Sequence, residues 1–255
     1  MAKRVVLIRH NDGPSDDRVL SFFQARGIEP EQRYPFKGDS LGQVDDSVAA
    51  SVIYGGPFNV FETDKYPFLL EENRWAEDCM ARGVPLLGIC QGAQQIAHIL
   101  GARVGPKPGE PHEFGYYPIY ATEAGKAYLP EQLYVAQAHF HEFELPRGAE
   151  LLAYSETFPT QAMRAGETTF GFQFHPEVTL AGFRRWQDRP GPPSANQAPR
   201  AARNRTSSAP RTTRRSTSGS WDSWSACSGR CNAAWSGQSP LIERRLSVDG
   251  RPRSR

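Results

Sequence analysis

Three times in its first hundred residues the chain runs through a short apolar segment and then into one with helical spacing of apolar residues. "KRVVLIRH" precedes "SDDRVLSFFQARG", "AASVIYGG" precedes "YPFLLEENRWAEDCMARG", and "VPLLGIC" precedes "QGAQQIAHILG". The short runs are apolar at consecutive positions, as strands covered on both faces must be. The first helical segment opens on the start signal Ser15 to Asp17, and Gly27 and Gly83 close the first two. This alternation predicts an α/β fold of three layers, with a mostly parallel central sheet flanked by helices. The later pieces "YYPIY", "LYVAQAHF", "ELLAYS", "TQAMRAG" and "TFGFQFH" follow one another closely and predict some antiparallel strands.

The pattern ends near Trp186. Between Arg189 and Arg255 the only large aliphatic residues are Leu241, Ile242, Leu246 and Val248, among 13 Arg and 13 Ser with no Phe, Tyr, His or Lys. Residues 1–186 are therefore expected to form one domain, and residues 187–255 a tail that cannot bury enough apolar surface to offset its ordering entropy. Thirteen arginines against three acids give residues 189–255 a net charge of +10, which leaves −8 for residues 1–188 out of the chain total of +2. Three readings of the tail stay open: a disordered arm, a GC-rich stretch read out of frame, or a basic arm stacking Trp221, Trp224 and Trp235 on RNA. No RNA-binding motif surrounds those tryptophans, and nucleic acid is not an expected partner.

The apolar run Val5 to Ile8 is interrupted by Arg9, too soon for a signal-peptide core or a membrane span, so a cytoplasmic protein without membrane partners is expected. Four cysteines in 255 residues do not make a disulfide framework. "CSGRC", Cys227 to Cys231, lacks the second ligand pair of a zinc site, and His98 and His112 lack ligand spacing. No "GxxxxGK[ST]" loop is present for a nucleotide phosphate. Neither a metal nor another cofactor is expected.

Against that background "GICQG", Gly88 to Gly92, stands out. A strand turning sharply into a helix exposes the turn residue at the sheet's carboxyl edge, and only small neighbours fit around it. This is the logic of the serine nucleophile elbow with sulfur in place of oxygen. The helix amino end favours an anion there, and the thiolate is the reactive form of cysteine. Taken alone, the motif also suits a small buried core cysteine. Two other strand ends complete a site. "YGGPFNV", Tyr54 to Val60, brings a flexible glycine loop to the same edge, where the N–H of Gly56 and that of Gln91 make a two-donor oxyanion hole. "FGFQFHPEV", Phe170 to Val178, ends a strand with His175 and adds Glu177 two residues on, giving the Cys, His, carboxylate arrangement of acyl transfer. Three loops at the carboxyl edge of one parallel sheet lie where α/β folds bind ligands.

"GICQGAQ", "GGPFN" and "FQFHPEV", within residues 3 to 186, resemble the class I (triad) glutamine amidotransferase domain, similar to the glutaminase part of GMP synthase. The resemblance implies that Cys90 attacks the side-chain amide of L-glutamine, that His175 protonates the departing ammonia and then activates water, and that Glu177 holds His175. It implies oxyanion donors at Gly56 and Gln91, and substrate contacts from Gln94, Gly55 and His139. It further implies that ammonia passes to a synthetase, on another chain or not at all; no acceptor domain is visible. Two departures accompany it. "QAHFHEFELP" stands where many members have a histidine, a small residue and an aspartate, and the basic tail stands where members carry a closing helix after the "HPE" strand. Two other functions stay open. One is a γ-glutamyl peptidase using the same triad with a wider pocket near Gln161 and Tyr117. The other is a non-catalytic binding domain that keeps the fold.

Overall fold

The computed structural model describes residues 3–188. The expectations for the basic tail, for "CSGRC" and for the three tail tryptophans fall outside these residues.

Strand β1 (Arg4–Ile8) leads to helix α1 (Arg18–Gln24) and to the short strand β2 (Glu31–Arg33). Strand β3 (Val48–Ile53) is followed by helix α2 (Phe68–Ala81), and β4 (Leu86–Ile89) by α3 (Gln91–Ile99). The rest is mainly strand: β5 (Val104–Pro106), β6 (Glu113–Ala121), β7 (Gln132–His139), β8 (His141–Phe143), β9 (Glu150–Tyr154), β10 (Ala162–Ala165) and β11 (Thr169–Phe172). Helix α4 (Leu180–Asp188) comes last.

Nine strands form one sheet in the order β2-β1-β3-β4-β11-β10-β9-β6-β7. From β2 to β11 neighbouring strands run parallel, and from β11 to β7 they run antiparallel. Alternation on the strands divides the interior in two. Val5 and Leu7 join Val52, Leu87 and the α1 residues Leu20 and Phe23 on one face, while Val6 and Ile8 join Ile53, Trp75, Ile96 and Ala97 beneath α2 and α3 on the other. The layers are therefore α1, sheet, and α2 with α3, as the strand and helix alternation predicts.

Asp17 ties the first layer to the sheet. Its carboxylate accepts from Leu20 N–H at 3.0 Å, capping α1, and also from Arg9 at 2.6 Å and the Tyr54 hydroxyl at 2.8 Å. β2 was not legible as a strand, because Glu31, Gln32 and Arg33 carry no apolar pattern. β1 recruits it as a parallel edge through the Val6–Glu31 register.

At the carboxyl side the structure departs from the expectation that the basic tail replaces a closing helix. "LAGFRRWQD" forms α4, two residues past the expected boundary at Trp186. Thr179 caps it by accepting from Gly182 N–H at 3.0 Å. Phe183 and Trp186, three positions apart, face the sheet together and cover Ala136, Tyr116 and Val178.

Between β4 and α3 the chain turns so tightly that neither flanking glycine has space for a side chain. A Cβ at Gly88 would lie 2.4 Å from the Gly92 carbonyl oxygen, and one at Gly92 would lie 2.1 Å from that of Ile53. Gly92→Ala is thus expected to destabilise the fold by about 1–3 kcal/mol through overpacking. Gly105→Ala, whose new methyl meets only Arg103 at 3.7 Å, serves as the near-neutral comparison in urea unfolding.

Candidate active site

β1, β3, β4 and β11 all end at one edge of the sheet, and the chain segments just beyond them build the site. Cys90, directly after β4, has φ 50° and ψ −105°, a left-handed conformation that costs a non-glycine residue about 1–3 kcal/mol. Its N–H donates to the Phe172 carbonyl at 2.7 Å, and its own carbonyl accepts from Gln94 N–H at 3.0 Å, so strand and helix both hold the strained residue. Cys90 is 7 % exposed at the amino end of α3.

His175 and Glu177 follow β11. The His175 N–H is pinned to the Ala136 carbonyl at 2.9 Å, and ring Nδ1–H donates to Glu177 Oε1 at 2.8 Å. That contact fixes the ring so that Nε2 is the nitrogen left to interact with the Cys90 side chain. Burial opposes a charge on the ring, but the Glu177 carboxylate and the neighbouring Cys90 side chain outweigh it and push the His175 pKa up to about 10. Trp186 meets the ring edge-on, with centroids 4.7 Å apart, and closes it from the α4 side.

The loop after β3 passes between these groups. A Cβ at Gly55 would lie 2.8 Å from His175 Cε1 and 3.3 Å from Cys90 Cβ, so only glycine lets the backbone come this close to both. At Gly56 it would lie 2.3 Å from His10 Cβ and 2.7 Å from Gln91 Oε1. The Gln91 side chain accepts from Phe58 N–H at 2.9 Å and so ties the loop to α3. Gln91 N–H, at the first position of the helix, has no carbonyl one turn earlier to bond.

Gln94 and His139 have partners of their own. Gln94 donates to the His141 carbonyl and to Gln173 Oε1, both at 3.2 Å. Because Gln94 occupies that oxygen, the Gln173 amide turns its nitrogen toward Cys90, where it donates to Sγ at 3.7 Å. Sequence reasoning missed Gln173, although a glutamine inside the apolar strand end "FGFQFH" was a signal. His139 is buried with both ring nitrogens engaged, Nδ1–H by the His141 carbonyl at 3.0 Å and Nε2 by Glu113 at 3.1 Å. The nearby group that reaches the sulfur is the Ala138 carbonyl, 3.9 Å from Sγ. Gln161 is wholly buried, bonded to Gln137, Glu113 and Ser155.

A strained cysteine, an imidazole held by a carboxylate and a glycine loop are the groups that acyl transfer through sulfur requires. The chain belongs to the class-I glutamine amidotransferase family, whose sequence pattern matches residues 32–185. It is similar to a subunit of the glutamine-hydrolyzing GMP synthase of Thermococcus kodakarensis, with 43% identity over 178 residues that cover 68% of this chain and 89% of the relative. It is 36% identical to the GMP synthase of Thermosipho melanesiensis over 52% of its own length, and spans a quarter of that relative. Among solved structures it resembles a glutamine amidotransferase from Thermotoga maritima, with a TM-score of 0.68, 31% identity, and coverage of 73% of this chain and 81% of the other. Among the described residues no helix is long and apolar enough to cross a membrane.

The raised pKa of His175 predicts a pH effect with a definite sign. Glu177→Gln removes a negative charge that holds the proton, so the His175 pKa falls from about 10 toward its ordinary value near 6.5. Imidazole NMR titration of the variant is expected to show the ring losing its proton at lower pH than in the parent.

Proposed function

We propose that the protein hydrolyses the side-chain amide of L-glutamine through a thioester on Cys90, and that the ammonia is passed to a synthetase carried on a separate chain. The observation that carries this reading is the loop at Gly55, which holds its backbone against both Cys90 and His175 and puts Gly56 beside Gln91.

The Cys90 sulfur attacks the amide carbon, and the carbonyl oxygen takes up the electron pair. Gly56 N–H and Gln91 N–H stabilise that charge where it develops. His175, protonated through Glu177, gives its Nε2 proton to the departing nitrogen, and ammonia leaves as the C–N bond breaks. Gln173 donates to the sulfur and steadies it before attack and after release. Once the thioester forms, His175 has given up its Nε2 proton, and the neutral ring can act as base toward water. Water attacks the thioester, His175 takes its proton, and glutamate leaves as the sulfur is regenerated.

On this reading Gln94 acts on the sulfur through Gln173, while His139 braces the turn at the end of β7. The γ-glutamyl peptidase alternative asked for a wider pocket near Gln161, and the burial of Gln161 among Gln137, Glu113 and Ser155 speaks for the smaller substrate. The partner proposal rests on the Thermococcus kodakarensis relative, whose name describes one subunit of a glutamine-hydrolysing GMP synthase. The acceptor of the ammonia is then bound by that second chain.

Two measurements test the reading. A glutamine analogue with an electrophile at the amide carbon is expected to label Cys90 and not the buried Cys79, with protection by excess glutamine. Cys90→Ala is expected to abolish labelling and ammonia release, and Glu177→Gln to lower kcat by about 10²–10⁴-fold. Faster release from γ-glutamyl peptides than from glutamine would overturn the substrate assignment.

A further inference from the structure

Behind the oxyanion loop, on the side away from Cys90, lies a pair of ionisable side chains that the acyl-transfer chemistry does not use. His10, just after β1, and Glu72, on α2, have side chains with 0% exposure. His10 Nε2 lies 3.0 and 3.1 Å from the two Glu72 oxygens, and Nδ1 lies 3.0 Å from the Tyr54 carbonyl. A carbonyl only accepts, so Nδ1 carries a hydrogen, and the contact with Glu72 holds a second, shared proton. Removing such a pair from water is expensive, and well-packed apolar residues in its place are often as stable or more so. Stability alone does not account for a buried histidine and glutamate here.

Their position does. Tyr54 is the last residue before the glycine loop, and its carbonyl is fixed by His10 while its N–H donates to Ile8 at 3.0 Å. Gly56 packs directly on His10 Cβ. The Phe58 ring lies against the His10 ring at 6.0 Å and against Phe68 at 4.9 Å. The loop is therefore held between two layers, with Gly55 against Cys90 and His175 on one side and Gly56 against His10 on the other. We propose that the buried His10–Glu72 pair is a positioning device for the reaction: it holds the Tyr54–Gly56 backbone so that the Gly56 N–H points at the developing oxyanion. This inference rests on the reading of Cys90 as nucleophile and Gly56 as oxyanion donor.

The test compares two reactions at one sulfur. Acylation of Cys90 by p-nitrophenyl acetate passes through a tetrahedral oxyanion and needs the loop. Alkylation by iodoacetamide displaces iodide, forms no oxyanion and does not need it. Mass spectrometry assigns both adducts to Cys90, with Cys90→Ala as background. The double variant His10→Leu/Glu72→Leu leaves no buried polar side chain of the pair unpaired but frees the Tyr54 carbonyl, and is expected to fold with a melting temperature lowered by a few degrees. Its acylation rate and its kcat for glutamine are expected to fall by about 10–100-fold, less than the loss of an oxyanion donor outright, with KM and alkylation unchanged. Glu72→Gln, which can still bond His10 Nε2, is expected to stay near the parent. Should the double variant not fold, His10→Gln, whose amide reaches for the same carbonyl without the ring behind Gly56, is expected to give the same selective loss.

Equal losses in both reactions, or a folded double variant with parental acylation, overturn the proposal. A parent that is acylated by the ester but does not hydrolyse glutamine overturns only the substrate reading, and the comparison still decides the role of His10 and Glu72. A parent alkylated at Cys90 but inert to the ester overturns the oxyanion reading and this inference with it.

Discussion

A side chain at positive φ between a buried strand and a helix persists only where the surrounding backbone over-determines it. At Cys90 that backbone comes from three strands. β11 accepts the Cys90 N–H, β3 lies so close to Gly92 that no methyl fits between, and β4 itself enters the turn through Gly88. The parallel half of the sheet is thus a clamp on one residue's dihedral angles. The neighbouring loops inherit their places from the same strands: Tyr54 to Gly56 because β3 ends beside β4, and His175 because β11 ends on the other side.

The two halves of the sheet divide the work by polarity. Within β1, β3 and β4 the buried side chains are apolar apart from Ser51 and supply rigidity, while the buried pairs Arg9–Asp17 and His10–Glu72 sit just beyond the end of β1. Toward β6, β7 and β10 it holds chains of side-chain amides, carboxylate and imidazole: Gln94 to Gln173, and Glu113 to His139, Gln161 and Gln137. Such networks are costly when incomplete but specify geometry when connected. The first runs to the Cys90 sulfur, and the second holds the end of β7, where the Ala138 carbonyl faces the same atom.

Much of this was legible in the sequence, and the reason is local. Strands β1, β3 and β4 announce themselves by consecutive apolar residues, their helices by spacing, and Cys90, Gly55, Gly56 and His175 by falling at strand ends where turn residues cluster. Glu177 could be paired with His175 because only one residue separates them. What escaped depends on partners distant in the chain. Gln173 meets Cys90 across 83 positions, and Glu72 meets His10 across 62; on α2, Glu72 reads as one more charge of an amphipathic helix until the fold shows that its position faces inward. β2, β5 and β8 are three residues each, too short for any periodicity, and exist because a neighbouring strand offers an edge. α4 was passed over because its two apolar contacts, Phe183 and Trp186, sit among arginines that resemble the sequence to follow.

The contact between Trp186 and His175 gives the chain a minimum length. The His175 ring is enclosed by a side chain that ribosomes add only after every strand of the sheet has been made, in the last helical turn before the composition changes. A stop codon or a shift of frame upstream of that codon leaves the sheet and the cysteine turn encoded but strips the imidazole of a wall. The same event a few codons later leaves the glutamate, the backbone anchor and the indole of that ring all in place. Genetic tolerance should therefore change abruptly within this one helix, at a border set by a single aromatic contact.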